Sequence, residues 1–414
     1  MIRVIYQFAI LITSPLWDVA AFFSPKIKAI VNGRKETNSG LRNLKPSLKK
    51  RIWIHSASLG EFEMALPLVE VLNDGSCEFH FSFYSPSGYE NAKLTNTNSF
   101  KWYLLNDSMS DAKNWIKHLS PQLAIFVKYE FWLNHLIATN KNNIPFIYWN
   151  VLLRKDHFLN NWYAKSWWKE LKKAKKVFVQ NEFTKEVFHQ KQIPAETIGD
   201  IRFLRSSQSL NRPSDLSKEW QLELKKFQNI IFGSSWDIEE QAAFEYLKNS
   251  SNNNFKVVLV PHDVSKNNIN RLINQFKQFG IFLYSNGTPN KLNSNRVLLI
   301  DTIGLLQSVY RVGSFAVVGG GFKNALHNII EPLSCSLPVI CGDQTEKFPE
   351  AKFALNNKAL IQCTTPIDIA NTIVQLVDCP ELMVEHREYA FHFFNENLPD
   401  LDNAFYYCRS LMTN

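Results

Sequence analysis

The chain has 414 residues, of which 45% are hydrophobic and 20% charged, which excludes a disordered, collagen-like or acidic-tail protein. A mean hydropathy of −0.20 excludes a polytopic membrane protein, and the length predicts two or three domains. The six cysteines show no C-x-x-C spacing and the ten histidines are scattered. We therefore expect buried, reduced thiols in a cytosolic protein and no metal site.

The first predicted element is an apolar helix over residues 4–23, VIYQFAILITSPLWDVAAFF. Its length just suffices to cross a bilayer, but Pro15 and Asp18 argue against a clean span, and no small-residue cleavage site follows. We predict a membrane-associated helix lying in the interface, with Trp17 and Tyr6 at headgroup depth. The alternative is an amphipathic helix packed on the protein's own core.

The next segment, residues 26–51, carries nine basic side chains and one acid, Glu36. Its net charge of +8 equals the formal excess of the whole chain. Such a run indicates an anionic partner, either phospholipid, a phosphorylated substrate or nucleic acid, or else a solvated linker. An apolar helix followed by a basic run is the pair of signals that stable membrane attachment requires.

From residue 51 onward, short apolar runs alternate with longer helix-like stretches, which indicates parallel sheets covered by helices on both faces. The runs are 51–57, 79–84, 123–127, 146–151 and 176–180, then 229–233, 256–261, 281–285, 297–301, 315–320 and 337–342. We predict an α/β fold with two Rossmann-like domains facing a cleft, and ligands at the carboxyl ends of the strands.

A polar stretch at 203–220, which contains Pro213, marks the expected domain boundary. The predicted division is an anchor and basic linker (1–50), an N-terminal Rossmann-like domain (51–210), a C-terminal Rossmann-like domain (211–380) and C-terminal helices (381–414).

The familiar cofactor signatures are absent, since neither G-x-G-x-x-G after the first strand nor a P-loop occurs. Ser58 and Glu61 follow the first strand with the S-x-x-E spacing of a capping box. The functional alternative is that Gly60 permits a tight turn and Glu61 stands at the cleft as a carboxylate base. Glu130 also follows a strand, either as a helix first-turn acid or as a functional carboxylate.

The stretch 315–342 contains a strand, three glycines at 319–321 and then His327-Asn328-Ile329-Ile330-Glu331-Pro332. Glycines allow close backbone approach to a ligand, and a helix start offers free N–H donors. A Glu one turn into the helix can accept from ribose hydroxyls, so the pattern indicates a nucleotide-sugar donor site.

Together these motifs resemble those of the Kdo transferases, which move 3-deoxy-D-manno-oct-2-ulosonic acid (Kdo) from CMP-Kdo to a lipid A precursor. The family's S-x-G-E is similar to residues 58–61, its E-L-W-type motif to 130–132, its T-P-S-G-Y-like turn to 85–89, and its G-G-…-H-N-x-x-E-P donor motif to 319–332.

The resemblance implies an inverting, metal-independent glycosyltransferase of the GT-B type on the cytoplasmic face of a Gram-negative inner membrane. It implies no cofactor; CMP-Kdo is the donor substrate, the lipid A precursor and the membrane surface are partners, and nucleic acid is not. Glu61 would be the proton acceptor and Glu130 a second catalytic residue. The implied nucleotide contacts are Pro261, His262, Ile303, Gly304, Leu305, Asn328, Ile329, Ile330 and Glu331.

The chain also departs from the family pattern. The usual P-R-H-P reads Pro261-His262-Asp263-Val264, the usual M-G-E reads Ile303-Gly304-Leu305, and Lys128 stands where the family often has an acid. Because the arginine is missing, we expect Arg202 or Lys266 to meet the phosphate or carboxylate. The remaining expected anion contacts are Ser58, Ser234 and Ser235, and a helix start at 324–328.

Two alternatives remain open at this point. One is a GT-B transferase that uses a UDP- or GDP-sugar, from which the S-L-G-E motif discriminates. The other is a non-enzymatic, basic protein that binds nucleic acid or membrane, suggested by 165–176, KSWWKELKKAKK, since Lys and Trp together can bind phosphates and stack bases. That segment also fits an amphipathic helix whose Trp167 and Trp168 face is buried or lies at the membrane, and we favour this interpretation.

Overall fold

The computed structural model describes residues 2–94, 98–250, 252–323 and 325–413, and the chain divides into two compact units. Unit 1 runs to Ile201 and resumes at Pro399, and unit 2 spans Arg202–Leu398.

Unit 1 contains a seven-stranded sheet whose strands all pair in parallel. Its strands are β1 (Lys50–His55), β2 (Cys77–Phe83), β3 (Ser99–Tyr103), β4 (Leu123–Val127), β5 (Phe146–Val151), β6 (Lys176–Val179) and β7 (Ala195–Thr197). The spatial order is β3-β2-β1-β4-β5-β6-β7. The apolar runs of β4 and β5 are buried along their whole length, because helices cover both faces of a parallel sheet.

Its helices are α1 (Ile2–Ala20), α2 (Pro25–Arg42), α3 (Leu59–Leu72), α4 (Pro86–Asn91), α5 (Met109–Leu119), α6 (Leu133–Lys141), α7 (Lys165–Leu171) and α8 (Glu182–Gln190). Large aromatic side chains fill the space between the layers. Trp53 contacts Trp115 and Phe126 with ring centroids 5.3 and 5.0 Å apart, and all three are fully buried.

Unit 2 repeats this architecture with a second seven-stranded parallel sheet, in the order β10-β11-β9-β8-β12-β13-β14. Its strands are β8 (Gln228–Ser235), β9 (Phe255–Pro261), β10 (Ile281–Leu283), β11 (Val297–Leu299), β12 (Phe315–Val318), β13 (Val339–Gly342) and β14 (Leu360–Cys363). The helices are α9 (Ile201–Leu210), α10 (Lys218–Leu224), α11 (Asp237–Asn249), α12 (Lys266–Phe276), α13 (Leu306–Tyr310), α14 (Ile330–Ser334), α15 (Pro349–Asn356), α16 (Pro366–Asp378) and α17 (Pro380–Glu396).

The boundaries between the two units differ from the predicted domain boundaries. The division lies after Ile201, the first residue of α9, rather than at 210–211, since Phe203 of α9 packs on Phe393 and Phe394 of α17 at 5.9 and 5.5 Å. The last helix, α18 (Asp402–Thr413), belongs to unit 1. The predicted helical segment 381–414 is therefore shared between the two units.

Helix α1 is docked on unit 1 by one face. Tyr6 donates a hydrogen bond to Asp107 at 2.6 Å, Ser14 accepts one from Asn106 at 3.2 Å, and the Trp17 ring packs on a neighbouring tyrosine. Tyr6 and Trp17 thus lie on the face that is packed against the protein, and their place at headgroup depth stays a prediction. Their polar atoms find partners in the fold, and this fixes the rotation of the helix.

The opposite face of α1 is an exposed apolar stripe at helical spacing, and each of its side chains is more than half exposed: Val4, Ile5, Phe8, Leu11, Ile12, Leu16 and Val19. In the described part of the chain, α1 is the one helix that is long and apolar enough to cross a membrane. It therefore combines the two alternatives raised by the sequence, with a face packed on the protein and a face left apolar and uncovered.

The six cysteines are free thiols, but they are not all buried as expected. Cys379 is exposed and Cys335 half-buried, since Cys379 lies at the junction of α16 and α17, outside the core.

Candidate functional site

Each sheet has one point where the order of its strands reverses. In unit 1 the chain runs from β1 outward to β2 and β3, then returns to β4 on the other side of β1. In unit 2, β8 and β12 stand in the same relation. Ligands of open α/β sheets bind outside the carboxyl ends of the strands at such a reversal. Glu61 and Glu130 in unit 1, and the 319–332 segment in unit 2, follow these strands.

In unit 1, Glu61 is the third residue of α3, directly after β1. The Ser58 backbone N–H donates to its Oε2 at 3.1 Å, so the carboxylate does take part in the cap predicted from the S-x-x-E spacing. Burial and the negative charge of Glu130 raise the pKa of Glu61 to about 7, while Lys128 and His55 act to lower it. A carboxylate with such a pKa is suited to accept a proton near neutral pH.

Glu130 lies ahead of α6 rather than in its first turn, and a chain of buried and part-buried hydrogen bonds holds it. Its Oε2 lies 3.0 Å from His55 Nε2 and accepts from Trp132 Nε1 at 2.6 Å. His55 Nδ1 lies 2.9 Å from Ser82 Oγ, which accepts from Trp53 Nε1 at 2.7 Å. His55 is fully buried, so the position of this carboxylate is set by groups without freedom to move.

Sequence reasoning missed the parts that His55 and Lys128 play. Lys128 has a left-handed backbone, φ +58°, and its charge acts on Glu61. His55 is the last residue of β1, the strand at which the sheet order reverses. That position could have indicated a residue of the site. Lys128 was noted only as a departure from the family pattern.

In unit 2, Ser234 and Ser235 close β8, and Ser234 adopts a left-handed φ of +50°. The buried Ser235 hydroxyl donates to Glu240 at 3.4 Å. The Glu239 carboxylate accepts from the backbone N–H groups of Trp236 and Gly320, each at 3.0 Å. The start of α11 is therefore already occupied by acidic side chains, which argues against the expected anion contact at Ser234 and Ser235.

The glycines after β12 serve contacts within unit 2. A Cβ on Gly319 would lie 2.0 Å from the Ser234 carbonyl oxygen, and one on Gly321 would lie 2.6 Å from the Gly342 nitrogen. Gly320 has a φ of +87°, and a Cβ on it would lie 2.2 Å from the Ala325 carbonyl oxygen. These residues are required for backbone packing, where the sequence suggested close approach to a ligand.

Hydrogen bonds within the H-N-x-x-E-P segment join its own residues to one another. Asn328 Oδ1 accepts from the Ile330 N–H at 3.1 Å, and its Nδ2 donates to Glu331 at 2.9 Å. The side chains of Ile329 and Ile330 are buried in the core, so only their backbone could meet a nucleotide. Helix α14 has five residues, and Asn324, at the start of the expected 324–328 helix, lies outside the described residues.

The remaining predicted nucleotide contacts lie on two loops. Pro261 ends β9 and is buried, and His262 after it is exposed. In the turn before α13, Ile303 is 84% exposed and Leu305 is buried, while Gly304 has a φ of +94°. A backbone contact at this turn would suit the residues better than a side-chain contact.

Of the two cations expected to replace the missing arginine, Arg202 is ion-paired with Glu350 at 2.9 Å. Lys266 is exposed at the first position of α12 and has no ion pair among the residues that the structure describes.

A group of aromatic and basic side chains at the reversal point of unit 2 was not predicted as a unit. We call it the donor-loop cluster: Trp236, His262, Lys323 and His327. The Trp236 and His262 rings stack at 4.4 Å, the two histidine rings are 4.7 Å apart, and Lys323 Nζ lies 5.2 Å from the Trp236 ring. The members come from loops after three different strands, so no local motif joins them.

The Trp167 and Trp168 pair of α7 is buried, and each indole donates to a backbone carbonyl at 2.8 Å. These rings are not available to stack on bases, which removes the stacking part of the nucleic-acid interpretation of 165–176. Across the described ranges, no group of three or more His, Cys, Asp or Glu side chains could hold a metal ion.

Comparison with known proteins places this site in context. Residues 31–205 match the family model described as 3-deoxy-D-manno-octulosonic-acid transferase (kdotransferase). A 3-deoxy-D-manno-octulosonic acid transferase of Haemophilus influenzae is 27% identical over 353 residues, which cover 81% of this chain and 80% of that protein. A bifunctional glycosyltransferase/methyltransferase of Fusobacterium nucleatum is 25% identical over 395 residues, 91% of this chain but only 59% of that protein.

Among solved structures, UDP-GlcNAc 2-epimerase from Neisseria meningitidis, bound to UDP-GlcNAc, superposes with a TM-score of 0.56 at 13% identity, over 88% of this chain and 99% of that one. The likeness confirms the predicted fold of two Rossmann-like α/β units.

Proposed function

We propose that this chain, a glycosyltransferase related to the Kdo transferases, moves Kdo from CMP-Kdo to a lipid A precursor with inversion and without a metal ion. The match of residues 31–205 to the family model and the identity to curated relatives over most of the chain support the transfer of Kdo. The acceptor and the membrane location are the finer parts of the proposal.

The observation that carries the mechanism is the Glu61 carboxylate at the reversal point of unit 1, with its pKa raised to about 7 by burial and by Glu130. A sugar hydroxyl is a poor nucleophile until its proton is removed. A carboxylate of ordinary pKa is a weak base for that proton, whereas one with a pKa near 7 is better matched to the task and still largely ionised just above neutral pH.

In the proposed reaction Glu61 takes the proton of the acceptor hydroxyl as its oxygen bonds to the anomeric carbon of Kdo. The bond from that carbon to the phosphate oxygen breaks on the opposite side, and its electron pair leaves with CMP as a phosphate monoester. One displacement inverts the anomeric configuration. Glu61 then releases this proton to solvent and is ionised again for the next turnover.

Glu130 contributes through Glu61 in this scheme. Its carboxylate is fixed by His55 and Trp132, and its negative charge raises the pKa of Glu61. It is therefore a positioning and tuning residue, which refines its expected role as a second catalytic group.

The lipid acceptor requires access to a membrane, and α1 offers it. An apolar stripe that is exposed along a docked helix suits a helix lying in the interface, and Lys26, Lys28, Arg42 and Lys45 are exposed in the adjoining segment. Each cation near an anionic surface contributes about 1 kcal/mol of attraction. We propose attachment to the cytoplasmic face of the inner membrane, where CMP-Kdo would be available.

The direct test is mass spectrometry of the lipid formed from CMP-Kdo and a lipid A precursor, with and without EDTA. The expected product carries added Kdo and forms equally in both. A panel of UDP- and GDP-sugars runs in parallel, and transfer from one of these, with none from CMP-Kdo, would contradict the proposal.

A further inference from the structure

We propose that Lys323 supplies the positive charge that binds the donor's phosphate in unit 2, in place of the arginine that is absent after Pro261, and that Trp236 positions it. The inference rests on the proposed function only in that the donor is a nucleotide sugar.

The location of Lys323 is the first argument. It follows β12, and the ring beneath it, Trp236, follows β8; these are the two strands at the reversal point of the sheet. The Trp236 ring also stacks on His262 at 4.4 Å with 22° between the planes. The cation and the residue after Pro261 thus both contact the Trp236 ring.

The hydrogen bonding of His327 is the second argument. Trp236 Nε1–H donates to His327 Nε2 at 3.3 Å, so this nitrogen carries a lone pair and the ring is neutral. Burial and the neighbouring His262 also lower the pKa of His327. His327 therefore adds no charge to the donor-loop cluster, whereas the ammonium group of Lys323 gives the cluster a positive charge.

The pairing of two arginines of unit 2 is the third argument. Arg202 is ion-paired with Glu350, and Arg271 contacts the carboxylates of Glu240 and Asp237. A guanidinium already bound to a carboxylate must give up that partner before it can meet a phosphate. Lys323 is exposed, and its ammonium group lies over the face of Trp236, 5.2 Å from the ring centroid.

The chemistry of the contact fits a phosphate. An ammonium group is a compact point charge with three donors on a flexible stem, and lysine binds phosphate in this way in many sites. A cation over an indole face is restrained by the ring's quadrupole, and this limits the orientations that the lysine must give up when it binds. Residues around the cluster that carry negative charge are Asp237, Asp263 and Glu239, and Glu239 is already bonded to two backbone N–H groups.

The test is calorimetric titration of the full-length protein with CMP and with cytidine, because the difference between the two affinities isolates the phosphate. Lys323→Ala should weaken CMP binding about tenfold or more, as expected for a lost charge-assisted bond, and leave cytidine unchanged. Lys323→Arg should recover most of the loss. Lys352→Ala, an exposed lysine on α15, is the matched control and should bind both ligands as the wild type does.

The role of Trp236 is separated in the same way. Trp236→Phe retains an aromatic face and should keep most of the difference between CMP and cytidine, whereas Trp236→Leu should lose it. Equal weakening of CMP and cytidine in Trp236→Leu would show a loss of fold or of base stacking and would overturn the positioning role.

Wild-type affinity of Lys323→Ala for CMP, or a loss that appears in Lys266→Ala instead, would overturn the assignment of the cation. The titrations are repeated with UMP and uridine. If only the uridine pair binds and Lys323→Ala loses the phosphate difference there, the cation is confirmed while the proposed donor is wrong, so the two failures are distinguishable.

Discussion

The Glu130 carboxylate lies 3.0 Å from Nε2 of His55, a side chain with no exposed surface at the end of β1. The contact fixes a negative charge beside Glu61, because Trp132 and Ser82 restrain the pair from either side. The charge of such a neighbour adds to the effect of burial in raising the pKa of Glu61.

Glu61→Gln tests the base directly. The amide keeps the shape and can still accept from the Ser58 N–H, but it cannot take a proton, so turnover should fall by roughly 10²–10⁴ while CMP binding is retained. Glu70→Gln, an exposed position on the same helix, is the control. Steady-state kinetics on folded protein provide the measurement, and near-normal turnover would reduce Glu61 to a helix cap.

The pH profile tests the coupling between the two carboxylates. In the proposed mechanism Glu61 must be deprotonated to act, so kcat/KM should fall as the pH drops below about 7. Glu130→Gln removes the charge that raises the Glu61 pKa, so this limb should move to lower pH, whatever the effect on the maximum rate. A limb that stays in place would show that Glu130 does not tune the base.

The ionised form of Glu61, which the proposed reaction needs, should lower the stability of the folded protein. The folded-state pKa of Glu61, about 7, lies above its ordinary value of 4.5, so folding binds a proton between these values and stability falls as the pH rises through them. Glu61→Gln should then stabilise the protein by about 1–3 kcal/mol at pH 8 and have little effect at pH 4. Thermal unfolding at the two pH values measures the difference, and equal shifts would argue against a raised pKa.

The Asn328 and Glu331 pair predicts a non-additive result. Their side chains hydrogen-bond to each other at 2.9 Å, so either change to Ala should weaken CMP binding, by roughly 1.5–3 kcal/mol for the charged acceptor. The double variant should lose less than the sum of the single losses. Titration calorimetry on the three variants completes the cycle, and unchanged CMP affinity in all of them would make the segment a packing turn.

Membrane attachment is best tested on the stripe rather than by deleting α1. Serine at Phe8, Leu11 and Ile12 should abolish flotation with anionic vesicles and leave the melting temperature nearly unchanged, because these side chains are exposed. Tyr6→Phe is the converse control. It removes the bond to Asp107 and should cost about 1 kcal/mol of stability without loss of flotation. Retained binding of the serine variant would place the anchor elsewhere.

The sequence predicted eleven of the fourteen strands, and the three that it missed, β3, β7 and β14, are all edge strands. Ser99–Tyr103 is interrupted by polar residues and only partly buried, so it lacks the continuous apolar run that marks a central strand. The fourth edge strand, β10, was predicted because its residues are apolar. The boundary after Ile201 was missed because packing of Phe203 on α17, not local polarity, decides where α9 belongs.

The same limit applies to the site. Glu61 and Glu130 could be predicted because each follows a strand end within a short motif. The donor-loop cluster could not, because Trp236, His262 and Lys323 are separated by 26 and 61 positions in the sequence and meet only through the strand order. The sequence also could not show that Gly319 and Gly321 pack against Ser234 and Gly342, which are distant along the chain. The glycines were therefore interpreted as a ligand-binding loop.

The assignment of α18 to unit 1 has a consequence for synthesis on the ribosome. The seven strands of the first sheet are complete by Thr197, but Phe405, which stacks on Trp149 at 6.2 Å, and the buried Cys408 emerge only after all of unit 2. The first sheet must therefore wait, with part of its surface uncovered, while about two hundred further residues are translated. At 5–20 residues per second that interval is roughly 10–40 seconds, in which the surface destined for α18 is open to chaperones.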